Sequence, residues 1–324
     1  MNVTRYAQEH REVWDAFVST SRNGTFLIMR GYMDYHADRF ADHSLLITSD
    51  DGQLLALLPA NLSGDSLESH GGLTYGGLIV DSRMTVTLML RVFEAVVSFA
   101  RELGCRTIVY KTIPHIYHDN PAEEDGYALF RAGARLVRRD HLAVIDYRCP
   151  YPYQERRIRA IRKAEKRGLA VRECDRFDGF WRILEDNLVQ RYNVRPVHAV
   201  EEIVMLKSRF PESIQLFGAY AAGDELRAGA LLYVSRHVAH VQYNAASPAG
   251  KEEGALDVVL DALVSRFAGT TRWFDFGIST EQMGNFLNEG LADYKEGFGA
   301  RTVVHDHYEL DVASCGAERF ENAR

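Results

Sequence analysis

Two long stretches of the chain repeat hydrophobic residues every three or four positions, as one face of a helix does. They read VTLMLRVFEAVVSFARELG (86–104) and ALDVVLDALVSRFAG (255–269). Each is followed by a short run rich in β-branched and aromatic residues, TIVYKTIP (107–114) and WFDFGIST (273–280), which is typical of a buried strand. The pattern predicts a helix followed by a strand twice, at an offset of 166 residues (273 against 107).

The segments around these pairs also correspond. A strand pair with a strong turn signal precedes each helix, with turns predicted at Asp51-Gly52 and at Gly223-Asp224. After each strand come segments of equal length, 115–132 and 281–298, each predicted to hold a helix followed by a Gly-Ala pair. Each half therefore predicts helices, three strands, a loop, a helix, a strand, a helix and a final strand.

The final strands carry nearly the same letters, GARLVRRDH (133–141) and GARTVVHDH (299–307), with six of nine positions identical. Similarity at a constant offset indicates an internal repeat. We predict two similar α/β domains, 1–150 and 151–313, joined near the proline-containing stretch 147–154, and a weakly ordered tail at 314–324.

Composition narrows the class of protein. Apolar residues make up 46% of the 324 residues and charged residues 26%, as in soluble globular proteins, and the net charge of -7 disfavours DNA as a partner. The most apolar stretch is interrupted by Arg91 and Glu94, so we expect no transmembrane segment. The four cysteines form no CxxC pair, which favours a reducing compartment. We expect a cytoplasmic protein that is free to contact a membrane surface.

Three stretches then carry a family resemblance: RRIRAIRKAEKRGLAV (156–171), FDFGIST (274–280) and YKEGFGAR (294–301). With the order of elements, they resemble the GNAT acyltransferase fold, and the tandem arrangement resembles its FemAB-like branch. The resemblance implies two GNAT-like domains, each a mixed, mostly antiparallel twisted sheet flanked by helices. It also implies an acceptor-side N-terminal domain and a catalytic C-terminal domain.

The resemblance further implies transfer of an acyl group to an amine without a metal. The expected donor is acyl-coenzyme A, with acetyl-coenzyme A first among such donors. The expected acceptor is an amine on a small molecule, a sugar, or a glycan- or lipid-linked precursor of the cell envelope or a surface polysaccharide. FemA/B/X enzymes instead use aminoacyl-tRNA and modify peptidoglycan precursors. A non-catalytic binding module is the third alternative.

Carboxylates near the end of the second repeated strand are candidate catalytic groups. Asp275 alternates with two phenylalanines on a strand predicted to be central, and a buried carboxylate is costly unless it has a partner. It is a candidate base or amine anchor, or else a structural hydrogen-bond acceptor for Ser279, Thr280 or a neighbouring strand. Glu281 is a second candidate or simply a charge at a helix start. The first half has Val109 at the position of Asp275, which favours the second domain as the catalytic one.

Tyr294 lies in DYKEGF. The resemblance implies that this tyrosine protonates the leaving thiolate; the alternative is a half-buried tyrosine that packs its helix against the sheet.

The loop before the second long helix is a candidate phosphate-binding turn or an ordinary loop with a helix cap. Small residues would let a pyrophosphate approach the backbone, and a lysine would add positive charge. The predicted donor-binding residues are Asn244, Ala245, Ala246, Ser247, Gly250, Lys251 and Gly254.

Acceptor contacts are predicted at His70, Tyr75 and Lys111, because SHGGLTYGG (69–77) resembles an adaptable ligand surface. The alternative is a glycine-rich strand lying close to another backbone. Arg162 and Arg191 are predicted to contact phosphate of a nucleotide-sugar or lipid diphosphate acceptor, or of tRNA, unless the basic helix is only a solvated face.

His305 and His307 point to one face of a strand, and their spacing would suit a metal pair. No third ligand is evident in the sequence. We therefore predict surface histidines on an edge strand, with a role in the fold rather than in catalysis, and no metal site.

Overall fold

The computed structural model describes residues 1–320, except for the side chains of residues 191 and 192. The chain forms two compact units. The first comprises Met1–Asp140, Met283–Asn285 and Val304–Arg324, and the second comprises His141–Gln282 and Phe286–Val303. This division differs from the predicted domains 1–150 and 151–313, because residues 141–150 fall in the second unit and residues 283–285 and 304–313 fall in the first.

The predicted tail at 314–324 is described only as far as residue 320, and residues 321–324 lie outside the described residues. Cys315 is 1% exposed and Phe320 is 8% exposed, and both belong to the hydrophobic core of the first unit. Burial of these side chains anchors the segment as far as the structure describes it.

The first unit is built around a hydrophobic core that contains Leu45, Phe93 and Ile108. Its helices are α1 (Arg11–Thr20), α2 (Arg30–Met33), α3 (Val86–Glu102) and α4 (Glu124–Ala132). Its strands include β1 (Asn2–Arg5), β2 (Ala41–Asp42), β3 (Leu45–Thr48), β4 (Leu54–Leu58), β5 (Asn61–Ser63), β6 (Ser66–Glu68), β7 (Ile79–Val80) and β8 (Thr107–Lys111). Strands β1, β3, β4 and β7 form an antiparallel sheet, and β8 pairs in parallel with β6.

Strand β9 (Arg135–Asp146) enters the second unit at His141. The other strands of this unit are β10 (Ala170–Glu173), β11 (Ile214–Ala221), β12 (Glu225–Val234), β13 (Val238–Ala246), β14 (Trp273–Ile278), β15 (Thr280–Glu281) and β16 (Phe286–Leu287). The sheet of this unit has the order β10-β11-β12-β13-β14-β9 and is antiparallel except between β13 and β14. Its helices are α5 (Glu155–Lys166), α6 (Phe177–Tyr192), α7 (Val200–Arg209), α8 (Pro248–Glu253), α9 (Ala255–Phe267) and α10 (Glu289–Glu296). Val259, Phe274 and Phe298, all fully buried, belong to its core.

Both predicted hairpin turns are confirmed. Gly52, with φ of 84°, lies between β3 and β4. Gly223 and Asp224, with φ of 78° and 65°, lie between β11 and β12. Positive φ at these positions matches the right-handed twist of paired strands and explains the Gly and Asp residues there.

The repeated nine-residue sequences lead into the last strand of each half, β9 and β17 (Arg301–Asp311). Gly133 and Gly299 precede these strands with φ of 79° and 84°. The second part of β9 pairs with β14, whereas His307 to Asp311 of β17 pair with β8. The predicted repeat is therefore present, but its last strands cross the predicted domain boundary.

None of the helices in the described part of the chain is long and apolar enough to span a bilayer.

Candidate active site

The parallel strands β13 and β14 pair only over their first three positions. These pairs are Val238 with Trp273, Ala239 with Phe274, and His240 with Asp275. Strand β13 then continues to Ala246 without a further partner on β14 in the described chain. We call this divergence beyond His240 and Asp275 the β13/β14 fork. It leaves one edge of β13 outside the ladder.

A β-bulge lies two residues beyond the fork. Strand β13 pairs Val241 with Leu232 and Tyr243 with Leu231, so Gln242 has no opposite residue on β12. A bulge leaves local backbone groups outside the ladder and turns them to a new direction. The bulge therefore leaves Gln242 without an opposite residue on β12, two positions from His240.

Asp275 and His240 form a buried pair at the fork. The side chain of Asp275 is 1% exposed, and its Oδ2 lies 2.8 Å from Nδ1 of His240. Its Oδ1 accepts a hydrogen bond of 2.7 Å from the backbone N–H of Gly277. Both carboxylate oxygens are thus held by donors, and the imidazole donates through Nδ1. The lone pair of Nε2 on His240 is then available as a proton acceptor.

The sequence predicted Asp275 as a buried carboxylate and left its role open. The structure supplies the partner, His240 on the neighbouring strand, which sequence reasoning missed. The histidine lies in HVAHVQY, where alternation with buried residues places it on the same face as Asp275.

Lys295 is a second group at this site that sequence reasoning missed. It is 5% exposed, and its Nζ donates to the backbone oxygens of Gly277 at 3.0 Å and Ile278 at 2.6 Å. Burial lowers the pKa of Lys295 to about 8, while the charge of Asp275 acts in the opposite direction. This ammonium therefore titrates close to the ordinary pKa of a thiol.

Two polar side-chain atoms near the end of β14 are buried without a hydrogen-bond partner in the described structure, His141 Nε2 and Ser279 Oγ. Their residues are adjacent, since the N–H of Ser279 donates to the carbonyl of His141 at 3.1 Å. Burial lowers the pKa of His141, while Glu296 acts to raise it. Unpaired buried polar atoms are costly, and a bound substrate is one way to satisfy them.

Tyr294 lies against the helices of the second unit. Its ring packs under the guanidinium of Arg157 at 4.5 Å and against Phe298 at 5.5 Å. By geometry its hydroxyl is buried and has no hydrogen-bond partner among the described residues, and burial raises the pKa of Tyr294, with the charge of Asp257 adding to the effect. The contacts of Tyr294 with Arg157 and Phe298 do not test its role as general acid, which stays a prediction.

Glu281 is exposed on β15 and accepts a hydrogen bond of 2.8 Å from Nδ2 of Asn288. Its role likewise stays a prediction.

The segment predicted as a phosphate-binding loop is folded into regular structure. Asn244, Ala245 and Ala246 are the last residues of β13, and helix α8 follows directly. Ser247 is the N-cap of α8, where its Oγ accepts a hydrogen bond of 3.1 Å from Gly250. The expectation of a loop is corrected, because strand and helix together satisfy the backbone groups that a loop would leave free.

The glycines of this segment face protein backbone. A Cβ on Gly250 would lie 2.1 Å from the carbonyl oxygen of Arg227, and one on Gly254 would lie 2.5 Å from that of Ala160. Close packing of strand and helices therefore explains both glycines. Lys251 is exposed on α8. Phosphate binding by this segment stays a prediction.

The predicted acceptor residues His70 and Tyr75 are buried in the first unit, at 3% and 2% exposure. His70 stacks on His36 with ring centroids 5.0 Å apart, and burial lowers its pKa to about 3. The Tyr75 hydroxyl lies 2.8 Å from Oγ1 of Thr25. A Cβ on Gly76 would lie 1.9 Å from the carbonyl oxygen of Ser69, which agrees with the alternative of a glycine-rich segment packed on nearby backbone.

Basic residues of α5 divide into two groups. Arg156 forms an ion pair with Asp293, and Arg157 forms one of 2.5 Å with Asp257 in the first turn of α9. The other group, together with the C-cap residue that follows α5, is exposed and makes no ion pair in the described structure; it comprises Arg159, Arg162, Lys163, Lys166 and the C-cap Arg167. We call these five residues the basic face of α5. The side chain of Arg191 lies outside the described residues.

The prediction of surface histidines on an edge strand is wrong for His305 and His307. They are 4% and 9% exposed, and their rings lie 4.7 Å apart. The reason is the position of β17, which has β8 and β9 as neighbours and is therefore not an edge strand. Within the first unit, β9 brings Asp140 beside the two histidines.

Comparisons with known proteins agree on the fold. Residues 154–296 match the acetyltransferase (GNAT) domain family. FemX is similar in structure, with a TM-score of 0.62 at 12% identity over 94% of this chain and 97% of FemX. So is the C-terminal domain of a putative lysylphosphatidylglycerol synthetase from Agrobacterium fabrum, with a TM-score of 0.61 at 15% identity over 95% of this chain and 93% of that one.

A tandem GNAT protein from the clavulanic acid biosynthesis pathway is also similar, with a TM-score of 0.52 at 11% identity over 96% of this chain and 98% of that one. No curated protein sequence matches this chain. At these identities the structural likeness establishes the fold, and the chemistry depends on the residues of this chain.

Proposed function

We propose that this chain is an N-acyltransferase that moves an acyl group from acyl-coenzyme A to an amine; the match of residues 154–296 to the GNAT domain family supports the proposal. The acceptor we propose is an amino sugar or a related cell-envelope or surface-polysaccharide precursor. The observation that carries the proposal is the β13/β14 fork with the His240–Asp275 pair at its base.

The fork suits a thioester donor. A pantetheine arm is an extended chain with two amide groups, and the edge of β13 beyond His240, which has no β14 partner in the described chain, would offer backbone donors and acceptors to such a chain. Backbone groups freed by the bulge at Gln242 would stabilise negative charge on the thioester oxygen.

His240 supplies the proton acceptor. In the proposed reaction the amine nitrogen attacks the thioester carbonyl, a C–N bond forms and the C–S bond breaks. Nε2 of His240 takes the proton from the attacking amine, and the thiolate leaves and is protonated. Asp275 is a positioning residue that fixes the ring through Nδ1 and stabilises the positive charge on the imidazole.

Lys295 is the proposed acid for the leaving thiolate. With a pKa of about 8, it is mostly protonated at neutral pH and can still release a proton. The buried polar atoms of His141 and Ser279 are proposed contacts for the amine acceptor, since neither has a partner within the described structure.

A second candidate is a transferase that uses aminoacyl-tRNA. Two observations favour it: the predicted pyrophosphate loop is replaced by α8, and the basic face of α5 is exposed and unpaired. An exposed cationic helix face suits the phosphates of an RNA donor. The same attack by the amine on an activated carbonyl would then use His240 and Asp275 with an ester instead of a thioester.

Donor binding separates these candidates. Unfolding midpoints are measured with acetyl-coenzyme A, coenzyme A, S-acetyl-pantetheine and total tRNA, because a ligand that binds the native state raises the midpoint. A rise with the thioesters supports the proposal. A rise with tRNA alone, lost in Arg162→Glu/Lys166→Glu, favours the second candidate. If no donor raises the unfolding midpoint and no acyl transfer is detected, both enzyme candidates are excluded and the non-catalytic binding module is favoured.

A further inference from the structure

We propose that the first unit contains a site for a divalent transition-metal ion, formed by Asp140, His305 and His307. One ligand atom from each residue can be chosen so that all three lie within 4.8 Å of one another. This inference does not depend on the proposed acyl transfer, because it concerns a different set of residues in the first unit.

The first observation that supports the site is the state of the two histidine rings. Nε2 of His305 and Nε2 of His307 are buried and have no hydrogen-bond partner in the described structure. His305 is 4% exposed, so water in bulk does not satisfy that nitrogen. An unpaired buried nitrogen is costly, and coordination of a metal ion would satisfy both rings at once.

The second observation is the position of the Asp140 carboxylate relative to His307. Asp140 is 1% exposed, and its Oδ2 lies 3.6 Å from Nε2 of His307, too far for a hydrogen bond. Ligands at about 2.0–2.1 Å from a tetrahedral ion are separated from each other by roughly 3.3 Å. The separation of these two atoms is therefore close to that of two ligands of one ion.

The surroundings hold the ligands in place. Nε of Arg138 donates to Oδ2 of Asp140 at 2.7 Å, which orients the carboxylate as outer residues do around known metal ligands. His305 and His307 project from the same face of β17, which pairs with β8 through His307 and Lys111. Strand pairing thus fixes the backbone position of His307 before any ion binds.

The ligand types indicate which ions would fit. Two imidazoles and one carboxylate suit Zn²⁺, and also Fe²⁺ in a facial arrangement. Three protein ligands leave at least one coordination position for water or a substrate oxygen. Two cations border the cluster, Arg138 and Lys111, and their charge opposes binding of an ion. Arg138 is bound to Asp140, and Lys111 Nζ donates to the carbonyl of Leu73 at 2.6 Å.

The test uses the full chain without an affinity tag. Metal content is measured after purification, and Zn²⁺ affinity is measured by competition with a chromophoric chelator on the metal-free protein. We expect one ion per chain and a rise of the unfolding midpoint with Zn²⁺. His305→Gln and His307→Gln should each weaken Zn²⁺ binding by about 100-fold. Removing a residue that only hydrogen-bonds to a metal ligand costs about 10- to 100-fold in affinity, and removing a ligand itself should cost at least as much.

His115→Gln is the matched control, because His115 is exposed in the same unit and lies outside the cluster. It should bind Zn²⁺ as the parent protein does. If a variant at His305 or His307 does not fold, the visible absorption of Co²⁺ in the parent protein is the second measurement, and a spectrum of two nitrogen ligands and one oxygen ligand supports the site. Failure of the parent protein to bind Zn²⁺, Co²⁺ or Fe²⁺, or equal binding by the histidine variants, would overturn it.

Discussion

Replacing Asp275 with Asn should change which ring nitrogen of His240 carries the proton. The two Asp275 oxygens accept hydrogen bonds from His240 Nδ1 at 2.8 Å and from the N–H of Gly277 at 2.7 Å. An amide has only one oxygen. If that oxygen keeps Gly277, the –NH₂ group faces the imidazole and forces the tautomer with hydrogen on Nε2. The proposed base is then blocked although the shape of the site is kept.

The size of the effect follows from the role of the base. General base catalysis contributes about 100- to 10,000-fold, so we expect kcat for Asp275→Asn to fall by at least about 100-fold, or about 2.7 kcal/mol at 1.36 kcal/mol per tenfold. KM should change little, because the proposed donor contacts are backbone groups of β13. Lost charge-assisted hydrogen bonds should also lower the free energy of unfolding by about 1.5–3 kcal/mol.

Two assays check this prediction. Thiol release from acetyl-coenzyme A is followed with a panel of amino sugars, and ¹⁵N chemical shifts of the His240 ring report its tautomer without any substrate. Asp261→Asn is the control, since Asp261 is a half-buried carboxylate on α9 in the same unit. A folded Asp275→Asn protein with an unchanged His240 tautomer and kcat within threefold of the parent would refute the reasoning.

Three further predictions concern pH and packing. Burial lowers the pKa of His70 and His305 to about 3 from 6.5, so below pH 6.5 the unfolded chain binds more protons than the folded chain, and the free energy of unfolding decreases as the pH decreases. With a chelator present, urea unfolding should show a loss of about 2 kcal/mol per histidine from pH 7 to pH 5. An unchanged midpoint would contradict this. Lys295 should give a loss of activity above a pKa near 8, and Lys295→Arg, which does not titrate there, should remove that limb of the pH–rate profile; its persistence would exclude Lys295 as the acid. Gly254→Ala should destabilise the protein more than Gly64→Ala in chemical denaturation, because both have positive φ but only Gly254 meets a backbone oxygen, at 2.5 Å; equal losses would contradict the packing argument.

The pattern of hydrophobic residues was sufficient to predict the main helices and strands and the internal repeat. Helices α3 and α9 and strands β8 and β14 lie where the spacing of apolar residues predicts them, and each predicted hairpin turn contains a glycine at positive φ. The family resemblance gave the sheet architecture.

Pairing between distant strands could not be predicted from the sequence. Because β17 pairs with β8, residues 304–320 join the first unit, and His305 and His307 become buried. The third member of their cluster, Asp140, belongs to the other copy of the repeated sequence, 165 positions earlier (305 against 140).

The candidate site was predicted in part for the same reason. Asp275 stood out because a carboxylate interrupts an apolar strand, whereas its partner His240 depends on the register of a parallel pair. Lys295 could not be distinguished from its neighbour Tyr294 as the site residue in the sequence, because the packing of α10 decides which of the two adjacent residues faces the sheet. The glycines at 250 and 254 suggested a ligand, but their close neighbours are backbone oxygens.

The central claim is that His240 accepts the proton of an attacking amine at the β13/β14 fork. Its most direct test compares amide formation from acetyl-coenzyme A by the parent protein and by His240→Gln, as kcat and KM over a panel of amino sugars. We predict that the parent protein forms the amide and that His240→Gln lowers kcat by about 100-fold or more with KM nearly unchanged. Equal kcat values for the two folded proteins would contradict the account.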